Sequence, residues 1–206
     1  MLTLYHFWSS TCSRRVRLCL AEKGLEWESR HIDLAVKHDH HSPEYLEINP
    51  NGQVPTLDHD GRIVLESNVI LEYLDDAFPE VSLRPADPYL RARMRVLMDK
   101  FEHVVHRNIN LISFNRRFRP RIEKFPPEER EAIINKVPNP ERRTELLRRM
   151  RQGVTEDDEA IAEANLATVL DEMEALLADG PWLVGGDFSL ADMSIAPFIE
   201  RFQANG

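Results

Sequence analysis

The hydroxyl and thiol side chains of residues 9–13 are the first group in the sequence that could do chemistry. The run Trp8-Ser9-Ser10-Thr11-Cys12-Ser13 lies between a predicted strand and a predicted helix. Backbone N–H groups and the positive end of a helix dipole stabilise an anion at such a junction. A hydroxyl there can hold a thiolate, although Ser10 or Ser13 can also serve only as the helix cap.

A second group of residues surrounds a predicted hairpin. The run Asn49-Pro50-Asn51-Gly52-Gln53-Val54-Pro55, followed by Glu66-Ser67, resembles the glutathione site of the cytosolic glutathione transferases. The match extends over most of residues 1–78. The resemblance implies that the Val54 backbone hydrogen-bonds the cysteinyl part of glutathione, and that the Val54–Pro55 peptide bond is cis.

The same resemblance assigns the two ends of glutathione. Glu66 and Ser67 would hold the γ-glutamyl end, and the glycyl end would lie near Gln53, His40 and His41. Taken alone, Glu66 and Ser67 can simply cap their helix, and the two histidines can be solvated loop residues. The order and spacing of the whole set nevertheless indicate glutathione as the co-substrate, with no metal.

Three residues are candidates for activating the glutathione thiol. Ser10 matches the position of the catalytic serine or cysteine in this family, where it would donate a hydrogen bond to sulfur and lower the thiol pKa. Ser13 is the second candidate, because a subgroup of bacterial β-etherases is similar in placing its serine there. Cys12 is the third: it could form a mixed disulfide with glutathione, as in omega-type thiol transferases, or be a small packed residue.

The resemblance implies an enzyme in which bound glutathione thiolate attacks a small, electrophilic and aromatic molecule. Residues 114–153 and 82–88 resemble the bacterial glutathione-dependent β-etherases, where a thiolate would displace aryloxide from carbon. The run Ser9-Ser10-x-Cys12 is similar to zeta-class isomerases, and Cys12 keeps an omega-type thiol transferase open. A non-catalytic regulatory protein that acts through protein contacts is the remaining alternative.

Apolar patterning predicts a thioredoxin-like domain over residues 1–78. A strand over 2–7 precedes a helix over 13–23 that ends at Gly24, and a strand over 25–32 follows. After a loop and a short helix at 43–46, Asp60-Gly61 predicts the turn of an antiparallel hairpin, and a helix over 67–78 closes the unit. A mixed sheet with helices on its faces, an α/β unit, has this order of elements.

The remainder of the chain reads as an all-helical bundle. Three prolines mark residues 79–88 as a linker across which few packing contacts are expected, which places the helical domain at 89–206. Helices are predicted over 89–110, 127–134, 141–151 and 156–177, the last with a core-facing stripe of Leu166, Leu170, Met173 and Leu177. Ser189 and Asp192 form a capping box that starts a final helix.

Composition narrows the class of protein. The chain has 206 residues, 42% of them hydrophobic, and a formal charge of −9, which argues against non-specific nucleic-acid binding. Cys12 and Cys19, about 10 Å apart on one helix, are too distant for a disulfide. Two arginine-rich runs, within 116–121 and 142–151, are interpreted as solvated helix faces rather than an anion-binding surface.

The partners and cellular location follow from the same patterns. Reduced thiols, a strand pattern that begins at Met1 without a signal peptide, and no run of roughly 20 apolar residues predict a cytoplasmic protein with no membrane partner. Family resemblance implies a homodimer. Few residues follow the helix that begins after Ser189, whereas family members usually continue, so we expect either a short member or an incomplete chain.

Overall fold

The computed structural model describes residues 1–204, and its first part is a four-stranded mixed sheet. The strands are β1 (Leu2–His6), β2 (Glu28–His31), β3 (Thr56–His59) and β4 (Arg62–Leu65), in the order β2-β1-β3-β4. The β1–β2 pair is parallel, and the β1–β3 and β3–β4 pairs are antiparallel. This sheet confirms the predicted thioredoxin-like fold.

The helices of this first part differ from the sequence predictions mainly at their ends. They are α1 (Thr11–Glu22), α2 (Pro43–Ile48) and α3 (Ser67–Ala77), with a 3-10 turn at Asp39–His41. Helix α1 begins two residues early because Ser10 caps it. Strand β2 begins three residues late because the Leu25 N–H donates to the Leu20 carbonyl at 2.9 Å, after Gly24 at φ 63°.

The second part is helical, as the sequence predicts. Its elements are α4 (Pro88–Lys100), a π-helical segment (Phe101–His106), α5 (Arg107–Ser113), a second π-helical segment (Phe114–Phe118), α6 (Arg119–Ile122), α7 (Pro127–Asn135), α8 (Pro140–Gln152), α9 (Glu156–Leu177) and α10 (Leu190–Gln203). The predicted capping box of Ser189 and Asp192 is present at the start of α10. None of the helices in residues 1–204 combines the length and apolar character needed to cross a bilayer.

The core stripe predicted on α9 is correct except at its end. Leu166 and Met173 are buried and Leu170 is partly buried, whereas Leu177 is 41% exposed. Leu177 is the last residue of α9 and lies beyond the helices that cover the stripe. The prediction that Leu177 is a core residue is therefore wrong.

The linker of residues 79–88 makes closer contacts than the sequence predicts. Leu83 is buried, its N–H donates to Asp75 Oδ1 at 2.7 Å, and its carbonyl accepts from the Leu190 N–H at 2.8 Å. The expectation of few contacts across this segment is wrong, because the segment packs against both α3 and α10. The boundaries 1–78 and 89–206 stay a prediction, and residues 205–206 lie outside the described part.

One apolar core extends through both parts of the molecule. Leu4 and Leu71 from the sheet half belong to the same buried cluster as Met94 and Phe198 from the helical half. Helix α1 packs on α10 and on α3, so the residues that follow Ser10 lie at the seam between the halves.

Candidate functional site

Ser10 and Ser13 lie one helical turn apart but in different environments. Ser10 is the partly exposed N-cap of α1, and its Oγ accepts a hydrogen bond from the Ser13 N–H at 3.2 Å. That bond uses a lone pair, so the Ser10 hydroxyl hydrogen remains available to a ligand. Ser13 is fully buried, and its Oγ accepts from the Phe7 N–H at 3.4 Å.

The loop before β3 presents an open stretch of backbone. The Val54–Pro55 peptide bond is cis, as the family resemblance implies. Tyr45 and Asn49 hold this loop through hydrogen bonds to the Gln53 carbonyl, at 2.5 and 2.9 Å. Within residues 1–204 no hydrogen bond engages the Val54 backbone, so its N–H and C=O can pair with a peptide ligand.

Glu66 and Ser67 stand at the start of α3. Glu66 is the exposed N-cap with φ 65°, a left-handed conformation that costs a residue with a side chain about 1–3 kcal/mol and is common at ligand sites. Ser67 is buried, and its Oγ accepts from Arg15 Nη1 at 3.1 Å. The N-terminal end of α3, at Ser67, carries the positive end of the helix dipole and suits a carboxylate.

His40 and His41 adjoin the loop that carries Gln53. Gly52 has φ 58°, and a Cβ there would lie only 3.0 Å from the His40 carbonyl and 3.2 Å from the His41 ring, so glycine permits this close approach. Burial is the main cause that lowers the pKa of His40 to about 3 and that of His41 to about 4.

The positive charge near these neutral imidazoles comes from the helical half. Arg142 and Lys136 both lower the pKa of His41, which places their charges close to its ring. An anion at this end of the site would therefore meet arginine and lysine as well as imidazole. The sequence analysis interpreted the run that contains Arg142 as a solvated helix face and did not consider Lys136, because both residues lie about 100 positions from His41 in the sequence.

Arg15 connects the two halves of the site, and the sequence analysis missed it. Its side chain is fully buried, and Nη1 donates to Ser67 Oγ, to Asn68 Oδ1 at 2.8 Å and to Glu102 Oε2 at 2.8 Å. The guanidinium also lies 4.6 Å from the centre of the Phe198 ring. One signal was present in the sequence: Arg15 occupies the helical face of Val16 and Cys19, where a charged side chain needs buried partners.

Cys12 faces a histidine and a glutamate of the helical half. Its Sγ lies 3.9 Å from Nε2 and 4.0 Å from Nδ1 of His106, and His106 Nδ1 lies 2.6 Å from Glu102 Oε1. His106 and Glu102 are one turn apart at the π-helical segment, a form that is frequent at functional sites. No sequence pattern indicated this cluster.

The three groups of this cluster shift one another's pKa. Burial is the largest single influence and would raise the pKa of Cys12 and lower that of His106. Their attraction for each other, together with Arg15 acting on Cys12 and Glu102 acting on His106, reverses both shifts. With Glu102 contributing, the pKa of His106 rises to about 10, while His106 and Arg15 lower the pKa of Glu102 to about 2 against the effect of burial. The arrangement therefore favours a thiolate, an imidazolium and a carboxylate.

Positively charged and aromatic side chains also lie near the loop that carries Ser9 and Ser10. Arg201 Nη2 donates to the Ser9 carbonyl at 2.5 Å, which brings the end of α10 to the site loop. After burial, the charges of Arg117, Arg14 and Arg121 lower the pKa of Arg201. Trp8 is 61% exposed, with the Arg17 guanidinium 4.7 Å from its ring centre. This edge suits an aromatic molecule or an anion.

Family models match both parts of the chain. The description "Glutathione S-transferase, N-terminal domain" matches residues 9–77, and "Glutathione S-transferase, C-terminal domain" matches residues 128–206. The first match includes Ser10, Val54–Pro55 and Glu66-Ser67.

Individual relatives agree with the family models. Protein LigF of Sphingobium sp. strain SYK-6 is 39% identical over 208 residues, which cover 97% of this chain and 79% of the relative. Its crystal structure, described as that of beta-etherase LigF, superposes with a TM-score of 0.91 at 36% identity, covering 98% of this chain and 84% of that one.

Two further relatives bear on the site. Maleylacetoacetate isomerase of Pseudomonas aeruginosa is 42% identical over 96 residues, 46% of this chain and 45% of the relative. A glutathione transferase homologue from Sulfitobacter with bound glutathione has a TM-score of 0.71 at 26% identity, covering 100% of this chain and 84% of that one. From the two family models and the extent of the likeness to LigF, we conclude that this chain belongs to the glutathione S-transferase family.

Proposed function

We propose that this glutathione transferase uses glutathione to cleave small aryl ethers of the β-ether type. The observation that carries this proposal is the similarity to beta-etherase LigF, which extends over 97% of the chain at 39% identity and reaches a TM-score of 0.91. The bound glutathione thiolate attacks the carbon that bears the aryloxide. A thioether forms there, and the aryloxide leaves.

Ser10 activates the thiol in this proposal. Its partly exposed hydroxyl stands at the positive end of α1 and has a free hydrogen to donate, so it stabilises the thiolate relative to the thiol. Ser13 is the weaker candidate because it is fully buried and its Oγ already accepts from the Phe7 N–H. The Cys12 thiol faces the His106 imidazole, with Sγ 3.9 Å from Nε2.

Glutathione binds along the sheet edge in this proposal. The unpaired Val54 backbone before Pro55 takes its cysteinyl part, and Glu66 and Ser67 at the start of α3 take its γ-glutamyl end. The glycyl carboxylate lies near Gln53, His40 and His41, where Arg142 and Lys136 supply charge.

The edge formed by Ser9 and α10 suits the second substrate. An aromatic ring can stack on the exposed Trp8. The negative charge that develops on a departing aryloxide would be stabilised by Arg201, which donates to the Ser9 carbonyl of the site loop, whereas Arg14 is already ion-paired with Glu200. This support from fixed positive charge is one reason to prefer ether cleavage over reactions without an anionic leaving group.

A second candidate function is a zeta-like isomerase. It is favoured by the 42% identity over 96 residues to maleylacetoacetate isomerase of Pseudomonas aeruginosa. In that reaction glutathione adds to a double bond and then leaves, so no glutathione is consumed. Stoichiometry therefore separates the two candidates.

We also propose that the protein is a cytoplasmic homodimer. The outer faces of α3 and α4 expose three large apolar side chains, Val69, Tyr89 and Val96, which are 56%, 69% and 64% exposed. A second copy would cover this patch. Light scattering after size exclusion should give twice the mass of the chain, and a monomer at micromolar concentration would contradict the proposal.

The first experiment is titration calorimetry with reduced glutathione, followed by turnover assays. Saturable binding, together with phenol release from a β-aryl ether and consumption of one glutathione per turnover, is the expected result. Isomerisation of maleylacetoacetate about its cis double bond without glutathione consumption would favour the second candidate. No binding of glutathione would contradict both and favour a non-catalytic interaction protein.

A further inference from the structure

Three side chains at the seam between the two halves form an arrangement that activation of glutathione by Ser10 does not use. Cys12 Sγ lies 3.9 Å from Nε2 and 4.0 Å from Nδ1 of His106, and His106 Nδ1 lies 2.6 Å from Glu102 Oε1. Glu102 therefore holds Nδ1 and leaves Nε2 for the sulfur or for a ligand. Acyl-transfer enzymes on unrelated folds share this order of nucleophile, imidazole and carboxylate.

The charged groups that face Cys12 favour its ionised form. Burial opposes ionisation, but the charge and hydrogen bond of His106, followed by the charge of Arg15, lower the pKa of the thiol. The charge of Glu102 opposes them in part. Cysteine thiols beside an imidazolium and at a helix N-terminus are the nucleophilic ones in proteins.

Two backbone N–H groups at the start of α1 can receive the charge of a reacting carbonyl. The Ser13 N–H is already bound by Ser10 Oγ, whereas within residues 1–204 the N–H groups of Thr11 and Cys12 have no hydrogen-bond acceptor. The Cys12 N–H belongs to the residue that carries the thiol, so it stays close to any carbonyl that Sγ attacks. Such donors stabilise the negative oxygen of a tetrahedral intermediate.

The cluster is open to solvent on one side and fixed on the other. Cys12 is partly exposed, and the side chains of His106 and Glu102 are 27% and 32% exposed. The buried Phe198 ring packs on His106 with ring centres 5.2 Å apart and supports it from the core. Separations of a nucleophile and its base are about 2.6–3.2 Å in the reacting state and are often longer without substrate, so binding has to shorten the distance from Sγ to Nε2.

The other thiol of the chain provides an internal contrast. Cys19 lies two turns further along α1, is fully buried, and has no histidine neighbour among its pKa determinants. Burial raises the pKa of Cys19 to about 12. Nucleophilic reactivity should therefore be confined to Cys12.

The geometry of the cluster fits a shared proton better than a bound metal ion. Cys12, Glu102 and His106 each offer one ligand atom, all within 4.8 Å of one another. Tetrahedral zinc would hold its nitrogen and oxygen ligands about 3.3 Å apart, given bond lengths near 2.0–2.1 Å. The 2.6 Å separation of His106 Nδ1 and Glu102 Oε1 is instead a short charge-assisted hydrogen bond.

We propose that Cys12, His106 and Glu102 form an acyl-transfer site that hydrolyses small thioesters, with thioesters of glutathione as the preferred substrates. The Cys12 thiolate attacks the carbonyl carbon, and a C–S bond forms as the carbonyl electron pair moves to oxygen. When that pair returns, the C–S bond to the leaving thiol breaks. His106 Nε2 donates its proton to the departing thiolate.

Hydrolysis of the acyl-Cys12 intermediate completes the reaction. The neutral His106 Nε2 takes a proton from water as the water oxygen attacks the acyl carbon, and the C–S bond to Cys12 breaks. Cys12 leaves as a thiolate beside the reprotonated imidazole. One thioester and one water give one carboxylic acid and one thiol, so no oxidant or reductant is needed. Glu102 is a positioning residue that orients the ring and stabilises the imidazolium.

The preference for glutathione thioesters follows from the place of the glutathione sulfur. In the proposed function the Val54 backbone takes the cysteinyl part of glutathione, and Ser10, two residues from Cys12, contacts its sulfur. An acyl group on that sulfur would extend towards the seam, where Cys12 and His106 lie. This preference rests on the proposed function, whereas the acyl-transfer site itself does not.

The first test uses S-acetyl-N-acetylcysteamine, a thioester that contains no glutathione. Its hydrolysis by the full chain, followed by loss of the ultraviolet absorbance of the thioester, should continue over many turnovers. Cys12→Ala should lower the enzyme-dependent rate at least about 100-fold, because removing the nucleophile stops the whole sequence. Cys19→Ala is the matched control and should keep the rate. A wild-type rate in folded Cys12→Ala, or a single acetylation without turnover, would overturn the proposal.

The second test examines His106 and Glu102 with the same thioester. His106→Gln should lower kcat about 100-fold or more, because the proton donor and acceptor is lost. Glu102→Gln should lower kcat about 10- to 150-fold, as expected for a hydrogen bond to a charged group, with KM nearly unchanged.

The pH dependence shows whether Glu102 acts through His106. Activity should fall at alkaline pH as His106, whose pKa is raised to about 10, loses its proton. In Glu102→Gln this alkaline limb should move to lower pH, because the carboxylate no longer stabilises the imidazolium. A structural role alone would lower the melting temperature, which is measured first for each variant, and leave the profile unchanged. An unchanged profile in folded Glu102→Gln would overturn the assigned role of Glu102.

The third test separates this proposal from the proposed function. S-acetylglutathione should be hydrolysed with a kcat/KM at least about tenfold above that of the cysteamine thioester, since remote binding energy orients the acyl group. Equal values would overturn the preference for glutathione thioesters. If glutathione does not bind in calorimetry but the cysteamine thioester is hydrolysed through Cys12, the proposed function fails and the acyl-transfer site stands. Ether cleavage without thioester hydrolysis gives the reverse conclusion.

Discussion

The proposed catalytic role of Ser10 can be tested apart from its role as the helix cap if the replacing residue is also tolerated at an N-cap. Glycine is tolerated at an N-cap at a cost of only a few tenths of a kcal/mol, whereas alanine costs about 1 kcal/mol. We expect Ser10→Gly to keep glutathione affinity and melting temperature nearly unchanged and to lower kcat about 10- to 150-fold. That range corresponds to about 1.5–3 kcal/mol for a hydrogen bond to a charged sulfur. Steady-state kinetics and calorimetry test it.

Ser13→Ala is the matched control for Ser10. It removes the acceptor of the Phe7 N–H, so we expect lower stability with most of the turnover retained. A larger loss of kcat in folded Ser13→Ala than in Ser10→Gly would show that the thiol is activated at Ser13.

At the residue scale, prediction from sequence succeeded where a local motif carries the geometry. The cis bond before Pro55, which the family resemblance implies, lies within the single run Asn49–Pro55. Arg15, by contrast, pairs with Glu102 across 87 residues, and nothing in either segment specifies the other. Their pairing depends on how α1 and the π-helical segment meet, which is a tertiary property.

At the element scale, the strands and most helices follow from hydrophobic periodicity. The two π-helical segments could not be predicted, because the pattern over 89–110 predicts one uninterrupted helix, no helix is predicted over 114–118, and an added residue per turn is settled by packing. The wider π-helical turn lies where His106 and Glu102 face α1. The structure therefore extends the single predicted helix over 89–110 to Ile122, with these two interruptions.

Arg15 is the contact through which α1 and α3 meet the π-helical segment. Replacing it with methionine should lower the free energy of unfolding by about 3 kcal/mol, because Glu102 loses its buried partner. It should also weaken glutathione binding, since Ser67 and Asn68 lose the donor that orients them. Urea unfolding and calorimetry on the same variant measure both effects.

A double variant controls for a simple packing defect. In Arg15→Met with Glu102→Gln, the carboxylate that has lost its arginine and keeps only His106 as a partner is replaced by a neutral amide, so part of the stability should return. Binding of glutathione should not return, because neither substitution restores the donor to Ser67. Strictly additive losses in stability would mean that the Arg15–Glu102 pair contributes nothing as a pair.

At the scale of the whole molecule, the two halves should unfold as one cooperative unit. They share an apolar core, and the buried Lys23–Asp75 ion pair and Leu83 connect α1, α3, the linker and α10. In a Trp182→Phe variant only Trp8 and Trp27 of the sheet half report by fluorescence, while circular dichroism reports mainly the helical half. The urea unfolding transitions followed by fluorescence and by circular dichroism should coincide.

Leu83→Ala tests whether the linker takes part in that unit. Truncating this buried side chain should cost about 2–4 kcal/mol and move both transitions together. If the fluorescence transition moves alone, or if the two curves are already separate in the parent, the halves unfold independently.

Buried neutral histidines should make the fold sensitive to acid. Burial is the main cause that lowers the pKa of His6, His40 and His41, to about 4, 3 and 4. In the unfolded chain these groups titrate near 6.5, so between pH 6.5 and about 4 the unfolded state binds more protons than the native state. Stability is therefore lost as the pH falls through this window, and the melting temperature should drop.

The cluster of Cys12, Glu102 and His106, at the seam between the two halves, affects stability in a different range of pH. The pKa of His106 is raised to about 10, so its contribution to stability is fully present below pH 6.5 and is lost as the pH rises towards 10. Melting temperatures should thus be highest near neutrality and fall on both sides. Between pH 6.5 and about 4.5, His40→Asn with His41→Asn should flatten the acid limb and leave the alkaline limb unchanged, whereas His106→Gln should flatten the alkaline limb. Below about pH 4.5, His106→Gln also removes the contribution of Glu102, whose lowered pKa depends on His106. If either variant flattened the opposite limb above pH 4.5, the pKa directions assigned to these histidines would be wrong.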